Sequence, residues 1–197
     1  MRRDELEELH CITPIGNVAS ILEHGILSNM RAEKLPHTSV AMPEMQDLRR
    51  KVIVPGGRPL HQYANLYLCG RNPMMSKRRD SHSELCVLRV RPDVLDLPNV
   101  VITDQNAGSR YVRFAASPSG LSIVNRAMVF AEFWTHPDDQ KMQWRHSSIK
   151  CAEVLIPDRI APQFVIGVYV SGETGRARIA EVASSLSVVI NPHMFFQ

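Results

Sequence analysis

A single glutamate stands inside an otherwise apolar run, Cys151-Ala152-Glu153-Val154-Leu155-Ile156. An unpaired carboxylate is costly to bury, so Glu153 must face a cleft or a partner, or else point to solvent from an edge strand. In a cleft, a carboxylate can stabilise developing positive charge or accept a proton. His10 and Thr13 lie on or just after the first apolar run, and Tyr63, Asn65 and Tyr67 alternate with apolar residues further on. Basic residues cluster around these positions: Arg49, Arg50 and Lys51; Arg71 with Lys77, Arg78 and Arg79; and Arg145 with Lys150. Such clusters suit an anionic ligand or a nucleic acid strand, the alternative being solvated surface faces. The planar arginine fork suits a phosphate in particular. Arg49 and Arg50 are adjacent, so in a helix only one of them can face a cleft.

Several familiar chemistries have no sequence support. There is no G-x-x-x-x-G-K-[ST] loop, no G-x-G-x-x-G after a strand, no G-x-S-x-G elbow and no H-E-x-x-H helix. The eight histidines are scattered without metal-ligand spacing, and no metal is expected. Cys11, Cys69, Cys86 and Cys151 form no C-x-x-C pair and read as reduced, partly buried thiols. The charged stretch Met1–Glu8 has no apolar core of a signal peptide, and no run approaches the ~20 apolar residues that span a bilayer. A cytoplasmic chain without membrane contact is expected.

The elements that must position these residues are short. Leu9–Thr13 predicts a first strand ended by Pro14, and Val18, Ile21 and Leu22 give helical spacing up to a stop at Gly25. Residues 29–48 lack a clean period and read as a functional loop, with a possible helix over Met45–Val52. Tyr63–Leu68, Glu84–Val90, Asn99–Thr103, Lys150–Ile156 and Phe164–Val170 read as strands. Asn125–Trp134 and a short segment after Asp138-Asp139 read as helical, and Thr174–Ile190 as a helix followed by a last strand. Short strands broken by helices and long loops indicate an α+β fold with a mixed or split sheet. The 197 residues, 44% hydrophobic with a net charge of +3, suit one domain over residues 1–197, with nothing demanding more than a monomer.

The stretches LHCITPIGNVASILEHGILS, YANLYLCGRNPMM, ITDQNA and KCAEVLIP resemble, in order, blocks of the DarT family of DNA ADP-ribosyltransferase toxins, from about Leu9 to Val170. The resemblance implies an ADP-ribosyltransferase-like fold: two packed, mainly antiparallel sheets that form a split NAD cleft with helices around them. It implies NAD as co-substrate, a base of single-stranded DNA (thymidine or guanosine) as acceptor, and a macrodomain-containing antitoxin as partner. Glu153 matches the catalytic glutamate, with Arg50 beside it. Arg49 or Arg50 matches an arginine that holds the pyrophosphate. His10, Thr13 and Asn17 match the element that grips the nicotinamide end, and Tyr67, or else Tyr63, the aromatic position over that ring. Many relatives read His-x-Thr, whereas here His10 stands three positions before Thr13. Either the strand is kinked, or Cys11 or a backbone group takes the place of His10.

Transfer of this kind breaks a glycosidic bond through a cation-like transition state. A carboxylate can stabilise that charge and then remove the acceptor's proton, or leave the proton to a second group such as His146. The acceptor base must be exposed, which favours a single strand, and strand binding combines cations with stacking rings. Trp144, Arg145, His146 and Lys150 offer both, as do Arg71, Asn72, Met74 and Arg78; for Trp144 the alternative is a core anchor. Competing readings keep the cleft but change the acceptor to RNA, protein or water, or make the chain a non-catalytic nucleic-acid binding module.

Overall fold

The computed structural model describes all 197 residues. Ten strands alternate with seven helices. In chain order they are β1 (Leu9–Pro14), α1 (Val18–His24), β2 (Ile26–Leu27), α2 (Asn29–Ala32), α3 (Pro43–Arg50), β3 (Tyr63–Tyr67), α4 (Pro73–Lys77), β4 (Leu85–Val90) and β5 (Val101–Thr103). After them come β6 (Phe114–Ala116), α5 (Arg126–Val129), α6 (Gln140–Ile149), β7 (Glu153–Pro157), β8 (Arg159–Ile160), β9 (Val165–Val170), α7 (Glu173–Val182) and β10 (Val188–Ile190).

Eight strands form one sheet in the order β10-β9-β4-β1-β3-β7-β5-β6, and β2 pairs with β8 separately. Only β10 and β9 run parallel. The sheet is nearly divided at its centre. β1 pairs with β4 along its whole length, from Leu9↔Val90 to Pro14↔Leu85, but meets β3 through the single pair His10↔Tyr67. The expected split therefore occurs within a continuous sheet. Apolar side chains of both halves, among them Leu88, Val90, Leu66 and Val154, share one core.

Local chemistry accounts for the element boundaries. Gly25 ends α1 at a φ of 89°, and a β-carbon there would lie 2.3 Å from the Ile160 carbonyl oxygen, so only glycine fits. Asn72 caps α4 by accepting from the Met74 and Met75 amides, and Asp139 caps α6 by accepting from Met142.

Two expectations shift, and one strand was not expected. The helix expected over Asn125–Trp134 is confined to Arg126–Val129, because the following residues are drawn into tertiary contacts with Lys150. The strand expected from Lys150 begins at Glu153, because α6 runs to Ile149. β6, three residues long, pairs with β5 and carried too short a pattern to be seen in sequence.

Candidate active site

Where β1 leaves β3 a cleft of about 820 Å³ opens. Cys11–Pro14 form one wall, Asn65 and Tyr67 the other, and α3 and residues 35–42 close over it. The cleft thus results from the parting of two strands that touch at one pair. It falls within the usual size range of ligand sites.

Glu153 opens β7, directly opposite Tyr67 on β3, which in turn is opposite His10 on β1. Three side chains singled out from sequence therefore lie in one row across the sheet. β7 is an interior strand, and Glu153 is fully buried rather than pointing to solvent from an edge. Both oxygens of its carboxylate are bonded. Arg49 donates from both terminal nitrogens, at 2.8 and 3.0 Å, and the Ala107 amide donates to Oε1 at 3.0 Å. The Glu153 amide donates to the Thr103 hydroxyl at 3.0 Å, which fixes the backbone beneath. Burial works against the Arg49 charge, but Glu153 outweighs it and holds the guanidinium above its ordinary pKa. Arg49 is a cleft residue whereas Glu153 sits just behind the surface, so the arginine forms a cover over the carboxylate.

Around this pair, burial and then the Glu153 charge push the Tyr67 phenol well above its ordinary pKa. Burial pushes the Cys11 thiol up to about 12, which makes it an apolar wall rather than a nucleophile. Asn17 donates to the Thr13 hydroxyl at 3.2 Å and to the Thr38 carbonyl at 2.8 Å, and accepts from the Thr38 amide at 3.1 Å. That pins the loop over the cleft to the start of α1.

Not every predicted residue reaches the cleft. Arg50 is exposed and its nearest acid is Asp47 at 3.9 Å, so the arginine beside Glu153 is Arg49; a helix turns adjacent side chains about 100° apart. Tyr63 is a core residue whose hydroxyl accepts from the Arg58 amide at 3.3 Å. Of the two tyrosines, Tyr67 is the one that lines the cleft. β1 is regularly paired with β4, so no kink rescues the His10 spacing. The His10 ring is bonded to Glu8 at 3.1 Å and lies 6.3 Å from Tyr169, while Cys11 and Thr13 line the cleft.

Of the proposed strand-binding residues, Met74 and Arg78 line the cleft, and Arg145 and Trp144 are exposed, Trp144 at 67%. That exposure excludes Trp144 as a core anchor. Asn72 is buried as a helix cap. Arg71 donates to the His193 carbonyl and stacks 3.8 Å over Phe196, so it anchors the C-terminal segment. His146 is buried with both nitrogens engaged, by Met128 and His136, and Lys150 is 1% exposed. Neither can contact a strand directly, and His146 cannot take the acceptor's proton.

Sequence reasoning missed Thr103, Ala107 and the loop 106–110 that holds and flanks the carboxylate. Ala107 contributes a backbone amide, which side-chain patterns do not report, and Thr103 contributes a hydroxyl to the Glu153 backbone; the ITDQNA block was the one available signal. No group of three or more His, Cys, Asp or Glu is placed to hold a metal ion.

Residues 10–196 match the family described as ssDNA thymidine ADP-ribosyltransferase, DarT. The chain is 32% identical over 193 residues to a DNA ADP-ribosyl transferase-DNA ADP-ribosyl glycohydrolase fusion protein of Thermosipho africanus, covering 93% of this chain and 46% of that protein. It is 24% identical over 196 residues to a DNA ADP-ribosyl transferase of Thermus aquaticus, covering 93% of this chain and 84% of the relative. The chain thus spans about half the length of the fusion protein and most of the shorter relative. Among solved structures, Thermosipho africanus DarTG in complex with ADP-ribose superposes with a TM-score of 0.82 at 26% identity over 96% of this chain and 51% of that one. Thermus sp. 2.9 DarT in complex with ADP-ribosylated ssDNA gives 0.84 at 20% identity over 97% of both chains. With nearly its whole length matched, this chain belongs to the DarT family.

Proposed function

We propose that this chain transfers ADP-ribose from NAD to a thymidine base in single-stranded DNA, as the toxin of a toxin–antitoxin pair. The observation that carries the reading is the Glu153 carboxylate, buried just behind the cleft wall and clamped by Arg49 and the Ala107 amide. The thymidine specified for the family and the relatives solved with NAD and with ADP-ribosylated DNA support the substrates. The glycohydrolase fused to the Thermosipho relative supports an antitoxin that removes the modification, for which a macrodomain is suited.

The donor set fits NAD. Arg49, Lys77 and Arg78 offer cations for a pyrophosphate, Asn17 and Thr13 offer polar contacts, and Tyr67 offers a ring face. Breaking the nicotinamide–ribose bond leaves positive charge on the ribose, and Glu153 is placed to stabilise it. The thymine ring nitrogen forms the new bond to the ribose carbon, nicotinamide departs with the bonding pair, and the ring proton passes to Glu153. Arg49 orients the carboxylate, and a phosphate entering the cleft competes for its guanidinium and uncovers Glu153. Residues 1–197 then form one catalytic domain, since β1 and β10 belong to one sheet. No helix is long and apolar enough to cross a membrane, and four unpaired cysteines favour a reducing cytoplasm.

The test is incubation of the protein with NAD and mixed-sequence single-stranded oligonucleotides, beside duplex DNA, RNA and a Glu153→Ala control, with products weighed by mass spectrometry. One added ADP-ribose on thymidine-containing single strands, absent from the control, is expected. NAD consumed without gain on any DNA would redirect the reading to another acceptor.

A further inference from the structure

Helix α6 has two faces with different duties. Ser147 and Ser148 line the cleft, and Trp144, one turn earlier on that face, is 67% exposed. His146 and Lys150, four residues apart, lie together on the opposite face and are buried. Both reach the same stretch of chain, residues 128–136, through its backbone and rings. His146 Nε2 bonds the Met128 carbonyl oxygen at 3.0 Å, leaving Nδ1 to accept from His136 Nε2 at 2.9 Å. Lys150 Nζ donates to the Ala131 carbonyl at 2.7 Å and to Cys69 Sγ at 3.6 Å, with the Trp134 ring centre 5.5 Å away.

None of the Lys150 partners is a carboxylate. Burial pulls the ammonium below its ordinary pKa, and an apolar side chain of similar volume would avoid that desolvation cost. A lysine here has another use: it joins the segment just after β3, through Cys69, to the strap 128–136 and to the last turn of α6, three residues before Glu153. We propose that Lys150 is a positioning residue for the acceptor strand, locking the 128–136 strap and α6 so that the outer face of α6 presents Trp144 beside the cleft. The proposal rests on the reading of single-stranded DNA as acceptor. Lys150 acts without touching the strand, through Trp144 and the cleft-side serines.

Lys150→Met is the first variant. With the clamp removed, the KM for a thymidine-containing oligonucleotide is expected to rise roughly ten-fold, with kcat and the KM for NAD within about two-fold. The Tm should be unchanged or higher, and amide exchange over residues 128–136 should accelerate. An unchanged oligonucleotide KM, or an equal rise in both KM values, overturns the proposal. If Lys150→Met does not fold, Trp134→Leu decides: it leaves the charge but removes the ring beside it, and a folded variant with unaltered oligonucleotide KM overturns the proposal. A wild-type chain inactive on every oligonucleotide overturns instead the DNA reading beneath it, and the amide exchange still reports whether Lys150 holds the strap.

Discussion

At the residue scale the site reduces to one carboxylate and one guanidinium with no exchangeable substitutes. Glu153→Gln keeps the shape but removes the charge that faces the developing cation, and is expected to lower kcat about 10²–10³-fold with little change in the KM for NAD. Steady-state kinetics on an oligonucleotide substrate checks this. Arg49→Ala leaves a buried carboxylate without its main partner and is expected to destabilise the fold by about 3–5 kcal/mol as well as abolish transfer, seen in urea titrations beside activity assays. Arg50→Ala, one residue along, is expected to change stability by less than about 0.5 kcal/mol and to leave transfer intact. That contrast distinguishes the two arginines, which sequence alone left open. Glu153 itself was legible because a charged residue in an apolar strand breaks the local rule, and such breaks concentrate at functional sites. The choice between Arg49 and Arg50 stayed open, and Lys150 was misread, because charge says nothing of direction: Arg50 and Lys150 face opposite ways. One side chain points to water, and the other into the core.

At the element scale the cleft depends on how loops are tied to strands. Asn17 makes three hydrogen bonds that join α1, β1 and the loop at Thr38. Asn17→Ala frees that loop, and a roughly ten-fold rise in the KM for NAD is expected with kcat nearly preserved, measured by varying NAD at saturating oligonucleotide. Gly25 turns the chain from α1 towards β2, hard against the Ile160 carbonyl. Gly25→Ala combines positive φ with a collision and is expected to cost several degrees of Tm or more in a thermal melt. Paired strands of five or six residues, α1 with its stop at Gly25 and α6 behind Asp139 were legible from periodicity and turn chemistry, whereas α4 was not. The two-residue β2 and β8 and the three-residue β6 were not legible, because they exist only through their partners.

At the scale of the whole molecule, the sheet is two halves joined at His10↔Tyr67, and the half-buried cluster beside that junction sets an acid limit. Burial alone would push the Glu8 carboxyl up, but hydrogen bonds with His10, Arg89 and Tyr169 outweigh it and hold it at about 2, below its ordinary 4.5. A depressed carboxyl contributes fully above its unfolded value and loses that contribution on protonation. Stability from this cluster should therefore be complete above pH 4.5 and fall between 4.5 and about 2. Comparing unfolding free energies of the wild type and Glu8→Gln across that range checks it: the variant should lack this portion of the acid sensitivity.

The α+β class, most strand positions and the odd charge at Glu153 were legible in the sequence itself, since alternation, turn residues and a misplaced charge are properties of local order, and the family was legible from the resemblance of its motif blocks. Tertiary structure alone decided that β1 and β3 part after one pair, that Arg49 and not Arg50 covers Glu153, and that Lys150 faces inward. Those outcomes depend on which surfaces meet across long stretches of chain. Side-chain direction at such a meeting is set by the packing partner, which a linear pattern does not contain.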